Sequence, residues 1–134
     1  MTRKLALTTV CVLALTVVGM AVSNAHFVGT PLISTSGDTA FFSGKVAGLG
    51  NVEVITVTVN GDAQCVNPGS KKPQAGNKQT FSGTSDVPVQ NGKANFSLSL
   101  DATFSPDCTP PMTVVWSNLS LTVTAVDGTF LTYP

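Results

Sequence analysis

From residue 26 onward, apolar and polar residues alternate along most of the chain, and this period of two constrains the fold more than any other feature. Residues 95–100 (NFSLSL) and 115–125 (VWSNLSLTVTA) show the alternation best, which is typical of half-buried β-strands. No window in this part of the sequence has the apolar spacing of an amphipathic helix. The sequence therefore predicts an all-β fold.

Further strands are predicted between these two segments and before them. The weaker ones are residues 39–46, 52–59, 63–66 and 79–89. The segment 52–59 is rich in valine, isoleucine and threonine, but its alternation changes phase between Val54 and Ile55. An extra residue in one strand of a pair produces such a change, so we predict a β-bulge there.

Three dipeptides have the composition of tight hairpin turns, because their residues tolerate positive φ angles. They are Asn60-Gly61, Asn91-Gly92 and Asp127-Gly128. About seven to nine short strands in a domain of about 110 residues favour an antiparallel β-sandwich, immunoglobulin-like or related. The Cys…Trp…Cys order of true immunoglobulin domains is absent because Trp116 follows both cysteines, so the topology stays open.

The aromatic part of the core is predicted from large residues within or beside the strands. The candidates are Phe42, Phe81, Phe96, Phe104 and Trp116.

The first 25 residues have the pattern of a cleavable signal peptide. Arg3 and Lys4 form a basic start, an uncharged apolar run extends over residues 5–22, and Ser23-Asn24-Ala25 offers small residues to signal peptidase. We predict cleavage after Ala25 and a secreted or surface-associated mature protein that begins at His26. A transmembrane anchor is the alternative, since the apolar run reaches about 18 residues, but threonines dilute it and no basic cluster follows it.

Residues 26–134 then form a single domain with little charge. Five lysines and no arginine remain against seven acidic residues, which gives a net charge of −2. Nucleic-acid binding requires a basic surface, so a nucleic-acid partner is not expected. No later segment is apolar enough to span a bilayer, so stable membrane insertion after cleavage is not expected either.

Cys65 and Cys108 are the cysteines of the predicted mature chain. Export would place them in an oxidising compartment, where an even pair in a small domain predicts a disulfide bond. A thiolate metal site is the alternative, but the two residues lack the C-x-x-C spacing of zinc sites. A disulfide would join the two proline-containing loops beside the cysteines, residues 67–78 and 103–111.

Several motifs of the mature chain resemble an uncharacterised family of small secreted bacterial proteins. They are AHF at 25–27, KVAGLGN at 45–51, and CVN at 65–67 followed by Pro73 and Asn77-Lys78. The resemblance spans most of the mature chain, and its motifs are structural rather than catalytic. It implies that the His-Phe start, the GLGN turn and the two cysteines belong to a recurring design, without implying an activity.

His26 is the only histidine, and the predicted cleavage would make it the N-terminal residue. A terminal amine and the imidazole Nδ1 of the same residue can chelate Cu(II), as in copper oxygenases that cleave polysaccharides. Such sites normally use a second histidine, so Asp38, Asp107, Met112 or a partner protein would have to complete this one. Small polar residues also follow signal cleavage sites without any further role, and we favour that interpretation.

The loop of residues 67–78 (NPGSKKPQAGNK) contains Lys71, Lys72 and Lys78. These lysines could attract an anionic polymer or a cell-wall glycan. Lysines in a proline- and glycine-rich loop are more often simply solvated.

The seven acidic residues are dispersed and stand mostly beside turn residues. Two of them could form a glycosidase pair only if the fold brought them together. A serine or cysteine nucleophile would lack an evident base, because the chain has no G-x-S-x-G motif and no second histidine. We therefore predict a non-catalytic binding or structural protein of the cell exterior without a cofactor, whose partner is a glycan or a protein. The alternative is a copper-binding protein that uses His26.

Overall fold

The computed structural model describes residues 24–67 and 77–134, and within these ranges it contains eight β-strands and no α-helix. The strands are β1 (His26–Phe27), β2 (Leu32–Ser36), β3 (Thr39–Ala47), β4 (Val54–Val66), β5 (Lys78–Pro88), β6 (Ala94–Asp101), β7 (Thr113–Ala125) and β8 (Phe130–Tyr133). The predicted strands at 39–46, 79–89, 95–100 and 115–125 are confirmed. The two predicted strands at 52–59 and 63–66 are one continuous strand, β4.

The strands form two antiparallel sheets that pack against each other as a β-sandwich. In sheet A, β3 pairs with β1 and β2 on one side and with β6 on the other. In sheet B, the order is β5-β4-β7-β8. We call the end of the sandwich with Ala47, Val54 and Ala94 the upper end, and the end with Thr39 and Val66 the lower end.

The core lies between the sheets and follows the alternation of the sequence. Strand β4 alternates between its inner and outer face from Val54 to Val66, and Ile55, Val57 and Val59 are fully buried. Each fully buried side chain of this size contributes about 1.5–3 kcal/mol of transfer free energy. Sheet A contributes Phe42 to the same cluster, and β7 contributes Leu121.

The predicted aromatic residues divide into two groups. Phe42 and Phe96 are buried in the central core, at 1% and 4% exposure. Phe81 is half-buried near the lower end, where its ring makes edge-to-face contacts with Phe104 and Trp116 at centroid distances of 6.1 and 6.2 Å. The contact of Phe81 with Phe104 thus joins the sandwich to the loop that precedes β7.

The prediction of a turn at Asn60-Gly61 is wrong, because both residues lie in the middle of β4. Gly61 faces inward, where a Cβ atom would stand 2.5 Å from Leu119 Cδ2 and 3.2 Å from the Trp116 ring. The glycine therefore leaves space for side chains of β7 instead of reversing the chain.

The β-bulge also lies elsewhere than predicted. Strand β4 begins at Val54, so the change of phase there marks the start of the strand. The register instead shifts between Asn60 and Asp62, opposite the segment of β7 that contains Asn118. The extra residue is on β7, and Asn118 has a positive φ of 53°.

The turns at Asn91-Gly92 and Asp127-Gly128 are confirmed. Asn91 and Gly92 have φ angles of 54° and 75° between the bridged residues Gln90 and Lys93, as in a two-residue hairpin. A further tight turn, which the sequence interpretation missed, joins β2 to β3 through Gly37, whose φ is 58°.

Candidate functional site

The predicted disulfide is present between Cys65 at the end of β4 and Cys108 in the connection between β6 and β7. The two Cα atoms are 5.7 Å apart. Met112 lies beside the bond, with its Sδ atom 3.8 Å from Cys65 Sγ. Because Cys65 is oxidised, this is a sulfur–sulfur contact and not a hydrogen bond. The disulfide fixes the connection between β6 and β7 to the lower end of the sandwich.

His26 lies at the opposite, upper end, in the short strand β1. Its imidazole is exposed, and Nδ1 is 2.7 Å from the carbonyl oxygen of Asn24. The backbone of Asn24 in turn packs against Gly48, where a Cβ atom would overlap the Asn24 carbonyl group. Cleavage after Ala25 would remove Asn24, so this contact belongs to the uncleaved chain and does not bear on the copper hypothesis.

The residues proposed to complete a copper site do not approach His26. Asp38 lies in the turn between β2 and β3 at the lower end, and Met112 lies beside the disulfide at that same end. Asp107 directly precedes Cys108. Among residues 24–67 and 77–134, no group of three or more His, Cys, Asp or Glu side chains is placed to hold a metal ion.

The three lysines of the predicted loop are only partly accounted for. Lys71 and Lys72 lie outside the described residues. Lys78 is the first residue of β5, and its Nζ atom is 3.8 Å from Asp62 Oδ2. This cation therefore partly neutralises a carboxylate on the adjacent strand.

Asp62 is the centre of a polar cluster on the outer face of sheet B. Asn118 Nδ2 donates to Asp62 Oδ2 at 2.9 Å, and Thr80 Oγ1 donates to Asp62 Oδ1 at 2.7 Å. These hydrogen bonds, followed by the charge of Lys78, lower the pKa of Asp62 because they favour the ionised carboxylate. Asn118, which makes the contact from β7 to Asp62 on β4, is the residue with a positive φ at the bulge.

The pair of Thr80 and Asp62 is one of three that join directly opposed residues of neighbouring strands. Thr39 Oγ1 donates to Asp101 Oδ1 between β3 and β6, and Thr56 Oγ1 donates to Asp86 Oδ1 between β4 and β5, both at 2.8 Å. Cross-strand pairs of this kind stabilise a sheet by about 0.2–1 kcal/mol each. In each of these three pairs, an aspartate thus accepts a hydrogen bond from a threonine hydroxyl group on the neighbouring strand.

The middle of the outer face of sheet B is a continuous array of short polar side chains, which we call the hydroxyl face. It consists of Thr56, Thr58, Asn60, Ser82, Thr84, Ser120, Thr122, Thr124 and Thr132. Its central row crosses all four strands, because Thr58 pairs with both Thr84 and Thr122, and Thr122 pairs with Thr132. The side chains of this row make no hydrogen bond to any other residue in the described part of the chain.

Phe130 borders the hydroxyl face on the edge strand β8, where it pairs with Thr124. Its side chain is 61% exposed. The face therefore ends in an aromatic ring that is accessible to solvent.

Two shallow concave features in the described part of the chain lie at the upper end. One open pocket of about 460 Å³ is lined by polar groups that include Lys45, Lys93 and Asn95. A second, of about 390 Å³, lies beside Glu53 and the exposed Val126. Neither contains a pair of carboxylates or a nucleophile with a base.

No helix in the described residues is long and apolar enough to cross a membrane. Comparison of the chain with protein-family models, with curated proteins and with solved structures finds no match.

Proposed function

We propose that this protein is a secreted, non-catalytic binding component of the cell exterior, and that its hydroxyl face binds a neutral, hydroxyl-rich glycan. The observation that carries the proposal is the unbroken row of Thr84, Thr58, Thr122 and Thr132 across sheet B. Each hydroxyl group can both donate and accept a hydrogen bond, as the hydroxyl groups of a sugar do.

The spacing of the array suits a repeating ligand. Neighbouring strands lie about 4.8 Å apart, and alternate residues of one strand lie about 6.7 Å apart, so the face offers hydrogen-bonding groups in regular rows. The row above the central one contains Thr56 and Thr124, and the row below it contains Asn60 and Ser120. An extended polymer lying along a row would meet several such groups at once.

The charges of the face support an uncharged ligand. Asp86 accepts a hydrogen bond from Thr56, and Asp62 is held by Asn118, Thr80 and Lys78. Both carboxylates are engaged within the protein. The central row and the row below it contain no charged side chain, and Asp86 lies at the β5 end of the row that contains Thr56.

Phe130 supplies the apolar contact that sugar binding also requires. Its exposed ring lies at the end of the row that contains Thr56 and Thr124. Aromatic rings bury a large area at low cost in side-chain entropy, and they dominate the energetics of many binding surfaces.

The strand order supports assignment of the sandwich to the immunoglobulin-like class, which we include in the proposal. Lettered along the chain from β2, sheet A has the order A-B-E, and sheet B has C and F as central neighbours with G on the outer side of F. At the other edge of sheet B, β5 pairs with β4 and is the fourth strand of that sheet. Many extracellular recognition domains use this architecture.

The location outside the cell rests on two features. The pattern of residues 1–25 is that of a signal peptide, and the Cys65–Cys108 bond requires an oxidising compartment to persist. The uncharacterised family that the AHF, KVAGLGN and CVN motifs resemble is also a secreted one.

Depletion of the mature protein from solution by insoluble cellulose, chitin or xylan tests the binding surface. The double variant Thr58→Val and Thr122→Val keeps the β-branched shape of both side chains but removes two hydroxyl groups from the central row. We expect about a tenfold lower association constant, because each lost hydrogen bond contributes about 0.5–1.5 kcal/mol.

Thr35→Val is the matched control, since it makes the same chemical change at an exposed threonine of sheet A. The control should bind as the unaltered protein does. The proposal is wrong if none of the three polysaccharides depletes the protein, or if the double variant and the control bind equally well.

A further inference from the structure

The outer face of sheet A exposes large apolar side chains near its middle, whereas the exposed apolar residues of sheet B (Val54, Val115 and Phe130) lie at the ends and the edge of that sheet. Leu32 of β2 is 65% exposed, Phe41 of β3 is 45% exposed, and Val28 beside β1 is 46% exposed. Leu32 pairs with Ser43, which is two residues from Phe41 on the same face, so Leu32 and Phe41 are diagonal neighbours. Together they form an apolar stripe near the middle of the sheet.

A cation and a carboxylate lie on opposite sides of this stripe. The outward residues of β3 are Thr39, Phe41, Ser43 and Lys45, spaced two residues apart. Lys45 lies two residues above Ser43, and Asp101 pairs with Thr39, two residues below Phe41. The midpoint between Phe41 and Ser43 is therefore equally far from the Lys45 and Asp101 positions, about 10 Å along the strand direction.

We infer that a second copy of this chain covers the outer face of sheet A, related by a two-fold axis that passes between Phe41 and Ser43. Such a rotation exchanges the two ends of the face, so Lys45 of each copy meets the partner's Asp101. It also brings each apolar stripe against the partner's stripe. A two-fold interface must be complementary to itself, and this arrangement of charges meets that condition.

The size of the face sets the strength of the association. The three neighbouring strands β2, β3 and β6, over the length of β3, cover an area of about 14 by 26 Å. This is a small interface compared with those of stable complexes. A central aromatic residue with apolar neighbours and charged pairs at the rim is the usual anatomy of such a contact. We therefore expect a dimer with a micromolar dissociation constant rather than an obligate one.

Sedimentation velocity of the mature protein across a range of concentrations measures this association directly. Phe41→Ser should raise the dimer dissociation constant at least about tenfold, as truncation of a central anchor does. Phe130→Ser is the matched control, because it removes an even more exposed phenylalanine (61% against 45%) from the outer face of the other sheet. The control should leave the dissociation constant unchanged.

The charges permit a second and stricter test. Lys45→Asp alone places two carboxylates together at each end of the interface, and Asp101→Lys alone places two lysines together, so each variant should be monomeric. An equimolar mixture of the two restores an opposite-charge pair at both ends and should form a mixed dimer. Circular dichroism confirms that each variant is folded.

A protein that stays monomeric at high concentration overturns the inference, as does a dimer that Phe41→Ser leaves intact. Failure of the charge-altered mixture to associate also overturns it. These outcomes leave the glycan proposal untouched, because that proposal concerns the opposite face of the sandwich.

Discussion

Replacement of Gly61 by alanine tests the way in which β4 and β7 pack. In the structure, a Cβ atom at this position would stand 2.5 Å from Leu119 Cδ2 and 3.2 Å from two ring carbons of Trp116. Favourable contacts between carbon atoms lie at about 3.5–4.0 Å, so Leu119 would have to move by roughly 1 Å. Trp116 also contacts Phe81, so the displacement would extend into the aromatic cluster at the lower end.

The expected cost follows from these distances. Forcing an extra methyl group into a packed interior typically costs about 1–3 kcal/mol. Alanine also restricts the unfolded chain, which returns about 0.4–1 kcal/mol. We therefore expect Gly61→Ala to lower the free energy of unfolding by about 1–2 kcal/mol, measured by urea denaturation with the slope unchanged.

Gly83 on the neighbouring strand β5 provides the control for this substitution. It also faces the interior, but a Cβ atom there would meet Leu100 Cδ1 and Val59 Cγ2 at 3.6 Å, which is ordinary contact. Gly83→Ala should therefore leave stability unchanged or raise it by up to about 1 kcal/mol. Equal stabilities for Gly61→Ala and Gly83→Ala would refute the argument that Gly61 is required for space.

Other features give further expectations. Cys65→Ser should lower the free energy of unfolding by about 4 kcal/mol, because the bond closes a loop with a sequence separation of 43, and a loss under about 1 kcal/mol would contradict this. The pKa of Asp62 is lowered on folding, so its stabilisation is present above the unfolded pKa of about 3.9 and is lost as the pH falls through the folded pKa. Asn118→Ala should accordingly destabilise the protein more at neutral pH than in strong acid, where only the strain of alanine at this positive φ remains, whereas an equal effect at both pH values would argue against the contact. Copper titration of a chain prepared to begin at His26 should give micromolar or weaker affinity, and tight one-to-one binding that one added N-terminal residue abolishes would reverse that expectation.

The alternation of the sequence was sufficient to predict most strands, because each strand has one face in the core. Residues 95–100 and 119–125 alternate without interruption, and both lie in strands whose inward residues include Phe96, Leu100, Leu121 and Val123. This pattern depends only on the local geometry of a strand, so it can be read without knowledge of its neighbours.

The errors arose where a local pattern has two physical explanations. Asn60-Gly61 has the composition of a hairpin turn, but Gly61 is required by Leu119, which lies far along the chain. The turn at Gly37 was missed because polar residues surround it on both sides (STSGDT), so no alternation marks its flanking strands. In each case a contact between distant residues decides the structure.

Only part of the candidate surfaces could be predicted from the sequence. The two T-x-T segments at 56–58 and 122–124 are visible in the sequence and already indicate strands with threonine on one face. Their placement side by side in two adjacent rows follows from the register of β4 against β7, which includes a bulge that the sequence did not reveal. The pairing of β3 with β1 and β2 places His26 and Asp38 at opposite ends of sheet A.

The three threonine–aspartate pairs are contacts between strands that depend little on salt. Dissolved ions screen the attraction between opposite charges over about 8–10 Å at ordinary ionic strength, which weakens exposed ion pairs. A hydrogen bond from a hydroxyl group to a carboxylate is a short-range contact between an ion and a neutral group, so screening affects it little. Asp86 and Asp101 are held in this way, and at Asp62 the lysine is the most distant of the three partners. For the secreted protein that we propose, we therefore expect these strands to keep their threonine–aspartate contacts at both low and high ionic strength.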